Sequence, residues 1–295
     1  MKLLIVADAG GWKTDWVVYS PALDIPLYFT TKGINASVMK AEEISAAIED
    51  FKRQLSEKLG SHFIDSLKEK KLYFYGAGCN SSETVSRIAE AIDSIFSDFF
   101  TSKEFGSDIL GAGRALFNNE PGIIAIMGTG SASAIYDGEE ITDSIPSLGF
   151  MIGDEGSGAY FGKEFLNCYF KRGFSQDLNE LINDTYHLSI PEVIRKIYRE
   201  PSPNTYLASF LPFISENRHY PELLEIINNG INQFFIRNIN KYDSTEGMRI
   251  GFIGSVAFSF SDIVGNIALK HNRKVYKILR HPIDDLLKYH IAKSL

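Results

Sequence analysis

The residues of this chain that could do chemistry gather at glycine-rich turns. Leu3 to Tyr19 reads LLIVADAGGWKTDWVVY: an apolar run ending at Asp8, then Gly10 and Gly11, then Trp12, Lys13 and Thr14, and a second apolar run. Gly10 and Gly11 carry no side chain to hold a ligand off the main chain, so their N–H groups can form an anion-binding nest. Lys13 adds positive charge and Thr14 a hydroxyl. An acid such as Asp8 is out of place beside a phosphate unless a divalent cation lies between them. The stretch reads as a nucleotide-phosphate turn with a magnesium-facing acid.

Gly122 to Tyr136, GIIAIMGTGSASAIY, repeats the arrangement of apolar strand, glycine turn and apolar strand. Neither turn has Walker spacing, and neither has G-x-G-x-x-G between a strand and a helix; Gly111 and Gly113 fall inside a helix. One such hairpin would pass for an ordinary tight turn, whereas two in one chain argue for a paired phosphate site. Three further acids stand at helix starts. Asp154 and Glu155, within GFMIGDEGSG at Gly149 to Gly158, are each either a ligand or a helix N-terminal acid, with Asp154 the better ligand. Asp108 is either a helix cap with Ser107 or a catalytic base.

These groups need strands and helices to hold them. Leu3 to Val6 is too continuously apolar for a half-exposed strand, and Trp16 to Tyr19 supplies a β-rich partner, so both belong in a buried sheet. Pro26 to Thr31 reads as a third strand, and Gly33 to Ser37 as a polar loop at the sheet edge. Helical spacing predicts an amphipathic helix over Ala41 to Leu59. Lys71 to Tyr75 is a strand, Ser81 or Ser82 caps a helix to about Phe96, Phe99 to Phe105 is a short strand, and a helix follows Ser107 and Asp108. The second half repeats the plan: its hairpin, a strand at Glu140 and Ile141, and a helix from about Ala159 to Phe170. Then come a helical stretch from Ser175 to Arg218, a long helix from Pro221 to Tyr242, strands at Arg249 to Ile253 and Val275 to Leu279, and a final helix from Pro282.

A chain of 295 residues exceeds the usual single core, and 44% hydrophobic content suffices for two. The net charge of −7, with no basic cluster, argues against nucleic acid as a partner. The apolar start is too short for a signal peptide and no segment would span a membrane, so the expectation is a cytoplasmic protein with no membrane partner. Cys79 and Cys168 stand apart, which suits neither a disulfide framework nor a zinc site.

Two halves that each run hairpin, third strand, helix, strand, helix resemble the actin, sugar-kinase and Hsp70 superfamily. The closer resemblance is to its N-acetylglucosamine kinase branch, also called the BadF/BadG ATPase family. It rests on DAGGWKTDW at Asp8 to Trp16, GINAS at Gly33 to Ser37, the helix start at Asp108, MGTGSAS at Met127 to Ser133, GDEGSG at Gly153 to Gly158 and GFIGSVA at Gly251 to Ala257. The resemblance implies an α/β fold of two ribonuclease-H-like, actin-like ATPase domains with a cleft between them. The first would span 1–116, with the final helix (about 282–295) packing back on it, and the second 117–295, with a helical insertion at about 175–218.

The implied function is an ATP-dependent sugar kinase acting on an amino sugar, foremost N-acetylglucosamine at O6, with ATP and Mg²⁺ as cofactors. Asp8 would hold magnesium through water. Gly10, Gly11, Trp12, Lys13 and Thr14 would cradle the β and γ phosphates. Gly128, Thr129, Gly130 and Ser131 would form the second phosphate clamp, and Gly254, Ser255 and Val256 would approach the adenosine. The sugar would meet Asn35, Asp108, Thr129, Gly149 and Asp154, with Asp108 as base. The partner is a small sugar, and a homodimer is compatible with the family.

The family has glycine and threonine where this chain has Ala9 and Trp12, and its vertebrate enzymes have a tryptophan where this chain has Leu148. The alternatives are a sugar-responsive ATP-binding regulatory protein without turnover, and a kinase of glucosamine or another hexose. The isolated cysteines disfavour the activating ATPase of radical dehydratases. A filament-forming actin relative lacks support.

Overall fold

The computed structural model describes residues 2–60, 63, 64 and 66–294, which include every candidate site residue. The chain divides into two compact units. One comprises Met1–Asn119, Gly138–Glu140 and Pro282–Leu295, and the other Glu120–Asp137 and Ile141–His281.

The first unit is a mixed five-stranded sheet of β1 (Lys2–Ala9), β2 (Lys13–Tyr19), β3 (Leu27–Lys32), β4 (Glu69–Gly76) and β5 (Ser102–Ser107), in the order β3-β2-β1-β4-β5. β1 lies at the centre, antiparallel to β2 and parallel to β4, and its run Leu3–Ala7 is buried on both faces. That position is why the run is apolar at every residue rather than alternating. The helices Ala41–Leu59 and Ser82–Phe96 make the crossovers that parallel pairing requires. Trp16 of β2 stacks on Phe51 of the first of these at 4.0 Å between ring centroids, which docks helix on sheet. Ser81 caps the second through its side chain.

The aromatic run at Phe99 was expected in a strand, but Ser97–Phe99 is a single 3-10 turn and β5 starts at Ser102. Phe99 and Phe100 instead pack around Phe96, with centroids 5.3 and 5.0 Å away. Aromatic content alone therefore signalled a corner of the core rather than a strand. The helix Ile283–Ser294 packs on β1, β2 and the helix Asp108–Phe117. There His290 stacks on Tyr73 at 3.6 Å and shares a 2.8 Å hydrogen bond with the Tyr75 hydroxyl.

The second unit repeats the topology with β6 (Gly122–Met127), β7 (Ser131–Tyr136), β8 (Ile141–Ile145), β9 (Ile250–Ile253) and β10 (Val275–Leu279), in the order β10-β9-β6-β7-β8. Again the leading strand is central, antiparallel to its hairpin partner and parallel to the next strand. The stretch 175–218 holds four helices, Gln176–Tyr186, Ile190–Tyr198, Pro203–Ala208 and Leu211–Glu216. Pro203–Ala208 lies so close to the helix Gly158–Phe170 that a Cβ at Gly162 would stand 1.9 Å from the Leu207 carbonyl oxygen. The helix expected to run to Tyr242 ends at Arg237, and a 3-10 turn, Ile239–Lys241, follows it.

Candidate active site

The first unit brings its acids together at the carboxyl ends of parallel strands, where ligands of open α/β sheets collect. The register pairs Asp8 with Tyr75, Ala9 with Gly76 and Gly76 with Ser107, so the ends of β1, β4 and β5 lie side by side. Asp8 is the penultimate residue of β1, and Asp108 follows β5 directly. Burial, then the charges of Asp108 and Asp15, push the Asp8 carboxyl up to about 7, against the pull of Lys13. Burial also raises Asp108, opposed by the Ile109 N–H, which donates to its Oδ1 at 2.9 Å. The helix cap is Ser107, whose Oγ accepts the Leu110 N–H at 3.2 Å. The cap is therefore in place without Asp108.

At the tip of the first hairpin the Gly10 N–H donates to the Lys13 carbonyl at 3.0 Å. Among the described residues nothing accepts the N–H groups of Gly11 and Trp12. The Trp12 indole is 72% exposed. Lys13 Nζ lies 2.5 Å from the Asp15 carboxylate. Thr14 is fully buried and its hydroxyl donates to the Lys32 carbonyl at 3.3 Å, so it braces β2 against β3.

Gly33, read from the sequence only as loop, is what seats this tip. Its N–H donates to the Trp12 carbonyl at 3.0 Å, and a Cβ on it would stand 2.5 Å from the Gly10 oxygen. The following turn is held as firmly. Asn35 Oδ1 accepts the Ser37 N–H at 3.0 Å, and Arg87 donates to the carbonyls of Ala36 and Met39. The only sequence sign of this bracing is the G-x-N-x-S spacing, which shows a tight polar turn but not what it grips.

In the second unit the Gly128 N–H donates to the Gly130 carbonyl at 2.9 Å, and among the described residues the N–H groups of Thr129 and Gly130 have no acceptor. The tip is anchored from its other side. Gly158 and Ala159, in the first turn of Gly158–Phe170, donate to the carbonyls of Gly128 and Thr129 at 2.8 and 3.1 Å. The donors that open a helix, ordinarily free to bind an anion, are thus taken up by the hairpin. Ser131 is buried and its hydroxyl donates to the Glu155 carbonyl at 2.9 Å.

The two acids of GDEGSG separate in role, and neither caps the helix; Ser157 does, accepting the Tyr160 N–H at 3.1 Å. Asp154 has a left-handed φ of 54° and accepts from Ser147 Oγ at 3.1 Å. Burial raises its carboxyl, against the lowering effects of the Ser131 main chain and Ser147. A Cβ at Gly130 would lie 3.0 Å from Asp154 Oδ2, a tight contact that places this acid against the tip. Glu155 turns to Arg237, 3.0 Å away.

Gly149, at φ 73°, begins a single helical turn, and Leu148 before it is 58% exposed. Gly254 has φ 123°, and a Cβ there would meet the Met127 carbonyl oxygen at 2.2 Å, so no side chain fits. Ser255 is partly exposed beside it, whereas Val256 is buried in the core and offers only main chain.

Among the described residues no three His, Cys, Asp or Glu side chains cluster as a metal cage. Magnesium does not require one, because it keeps water and phosphate oxygens and takes one or two protein carboxylates. The crowding of Asp8 by Asp108 and Asp15 is a negative site that a divalent cation would relieve. The donor set fits such an ion, with Asp8 as its protein ligand.

No protein-family model matches the chain, and no curated protein matches it. Among solved structures it is similar to a candidate N-acetylglucosamine kinase of Porphyromonas gingivalis, at 32% identity over 99% of this chain and 100% of that one, with a TM-score of 0.90. It is also similar to a candidate N-acetylglucosamine kinase of Chromobacterium violaceum, at 15% identity over 98% and 99% of the two chains, TM-score 0.73. A third is a candidate N-acetylmannosamine kinase of Listeria monocytogenes, at 11% identity over 99% and 100%, TM-score 0.50. The last two likenesses show the fold alone.

Proposed function

We propose, from the premise that this chain belongs to the N-acetylglucosamine kinase family, that it is an ATP-dependent kinase of an amino sugar, foremost N-acetylglucosamine at O6. The observation that carries this reading is the pair of hairpin tips. Gly11–Trp12 and Thr129–Gly130 each hold two consecutive N–H groups with no acceptor among the described residues, one tip beside Asp8 and the other beside Asp154. Such tips suit phosphate oxygens, and the acids suit a cation and a polyol.

By this reading the N–H groups of 11 and 12 in the first unit, and those of 129 and 130 in the second, each take phosphate oxygens. Magnesium, held through Asp8, supplies charge neutralisation on those phosphates. Asn35 in the first unit, and Asp154 with Thr129 and Gly149 in the second, are the groups offered to the sugar, Asn35 and Asp154 each fixed by its own hydrogen bonds. Gly254 and Ser255 leave room for the adenosine. Asp108 takes the proton from the attacking hydroxyl as its oxygen bonds to the γ-phosphorus and ADP departs. The raised proton affinity of Asp108 makes it a better base than an ordinary carboxylate. Phosphoryl transfer needs little beyond such positioning and charge.

The test is ADP release, with magnesium, over N-acetylglucosamine, glucosamine, N-acetylmannosamine and glucose. Sugar-dependent release, greatest with N-acetylglucosamine, is expected. Nucleotide binding without release for any sugar would favour the regulatory alternative.

A further inference from the structure

The second unit contains a cavity of about 630 Å³ that none of the roles above uses, lined by Met151, Ile152, Gly153, Glu155, Tyr160, Lys163, Asn229, Gln233 and Arg237. It is built by three elements: the 151–155 turn, the helix Gly158–Phe170 and the helix Pro221–Arg237. Its charges do not cancel. Arg237 donates Nη1 to Glu155 at 3.0 Å and Nε to Gln233 Oε1 at 3.1 Å, which leaves the Nη2 donors free. Lys163 Nζ lies 5.2 Å above the Tyr160 ring and has no carboxylate partner among the described residues. Glu155, the acid of the lining, is neutralised by Arg237, so Lys163 is surplus positive charge.

The rest of the lining is divided by chemistry. Met151 and Ile152, each 71% exposed, and the Tyr160 ring form an apolar wall. The side-chain amides of Asn229 and Gln233 lie on the helix opposite. An apolar wall matches the C–H face of a pyranose, amides match its hydroxyls, and a guanidinium with an ammonium matches a phosphate. We infer that this cavity binds a phosphorylated monosaccharide, at a site whose lining includes no hairpin-tip residue. The inference rests on the lining and not on the kinase reading.

The test is calorimetric titration of the full chain with N-acetylglucosamine 6-phosphate, glucose 6-phosphate, N-acetylglucosamine and inorganic phosphate, in wild type, Arg237→Gln and Lys163→Gln. The sugar phosphates should bind the wild type, and each substitution should weaken them by about tenfold or more, the scale of one charge-assisted phosphate contact. Arg237→Gln also removes the partner of Glu155. Lys163→Gln, which disturbs no ion pair, keeps the test decisive if the first variant melts early. Absence of sugar-phosphate binding to wild type would overturn the proposal. So would equal affinity in wild type and Lys163→Gln, or inorganic phosphate binding as tightly as the sugar phosphates.

Discussion

Asp108→Asn distinguishes a base from a structural acid, because the structure separates the two roles. An N-cap is worth about 1 kcal/mol, and here Ser107 supplies it. The Asp108 carboxylate accepts main-chain N–H groups, that of Ile109 at 2.9 Å and its own, bonds that an amide oxygen can also accept. The sign of the charge effect is opposite to a loss. Burial raises the folded-state proton affinity above the ordinary 3.8, so ionising Asp108 costs stability progressively as pH rises above that value. Asparagine escapes this cost. The variant should therefore melt no lower than wild type at pH 8, and any advantage should shrink toward pH 4.

Turnover should behave otherwise, since a positioned base contributes about 10²–10⁴-fold. We expect ADP release to fall by that factor at saturating sugar and ATP, with both affinities kept in calorimetry. Near-normal turnover would remove Asp108 from the chemistry. A loss of stability above about 2 kcal/mol, on the scale of a lost buried partner, would show that the carboxylate holds the fold.

Asp8→Asn should abolish most magnesium-dependent turnover. With the folded carboxyl at about 7 against 3.8, the native state keeps a proton the unfolded chain releases, so wild-type stability without metal falls as pH rises between those values. The full shift of about 3 units bounds the effect at about 4 kcal/mol. In EDTA the variant should gain up to that over wild type at pH 8 and little at pH 4; equal melts at both, or intact magnesium dependence, would refute this. Gly33→Ala puts a methyl 2.5 Å from the Gly10 oxygen and should cost about 1–3 kcal/mol while weakening nucleotide binding at least about tenfold; unchanged binding would show that the tip is not the phosphate site. Trp12 is 72% exposed and Trp16 1%, so acrylamide should quench only the former, and nucleotide should alter that signal. Trp12→Thr should abolish the response and shift stability by no more than about 0.5 kcal/mol; a larger loss would place the indole in the core.

The sequence was most legible where burial dictates residue type. Apolar runs mark the two central strands because both of their faces are buried. The period of Ile44, Ala47, Ile48, Phe51 and Leu55 marks a helix lying on one of the sheets. It misled where one residue type serves two geometries: Phe99 has strand chemistry but occupies a corner. At the site, residue types were visible and their partners were not. Nothing in the order of residues tells that Gly33 lies against Gly10, that Arg87 grips 36 and 39, or that Glu155 faces Arg237, because these contacts depend on packing across many intervening residues.

The same dependence explains how two copies of one topology divide the chemistry. Ala9 pairs with Thr14, and Met127 with Ser131, so the hydroxyls at 14 and 131 occupy equivalent places. Both are buried and both donate to a carbonyl of their own unit, Lys32 in one and Glu155 in the other. Each therefore braces its hairpin, and on the proposed reading the anion would fall to the N–H groups of the tip. The strand ends differ, however. One residue before Ala9 is Asp8, and one residue before Met127 is Ile126. Instead the second unit brings its acid, Asp154, from a separate turn, where Ser147 and the Ser131 main chain hold it beside Gly130. The second hairpin thus lacks the strand-end acid of the first, and the acid beside its tip comes from a separate turn.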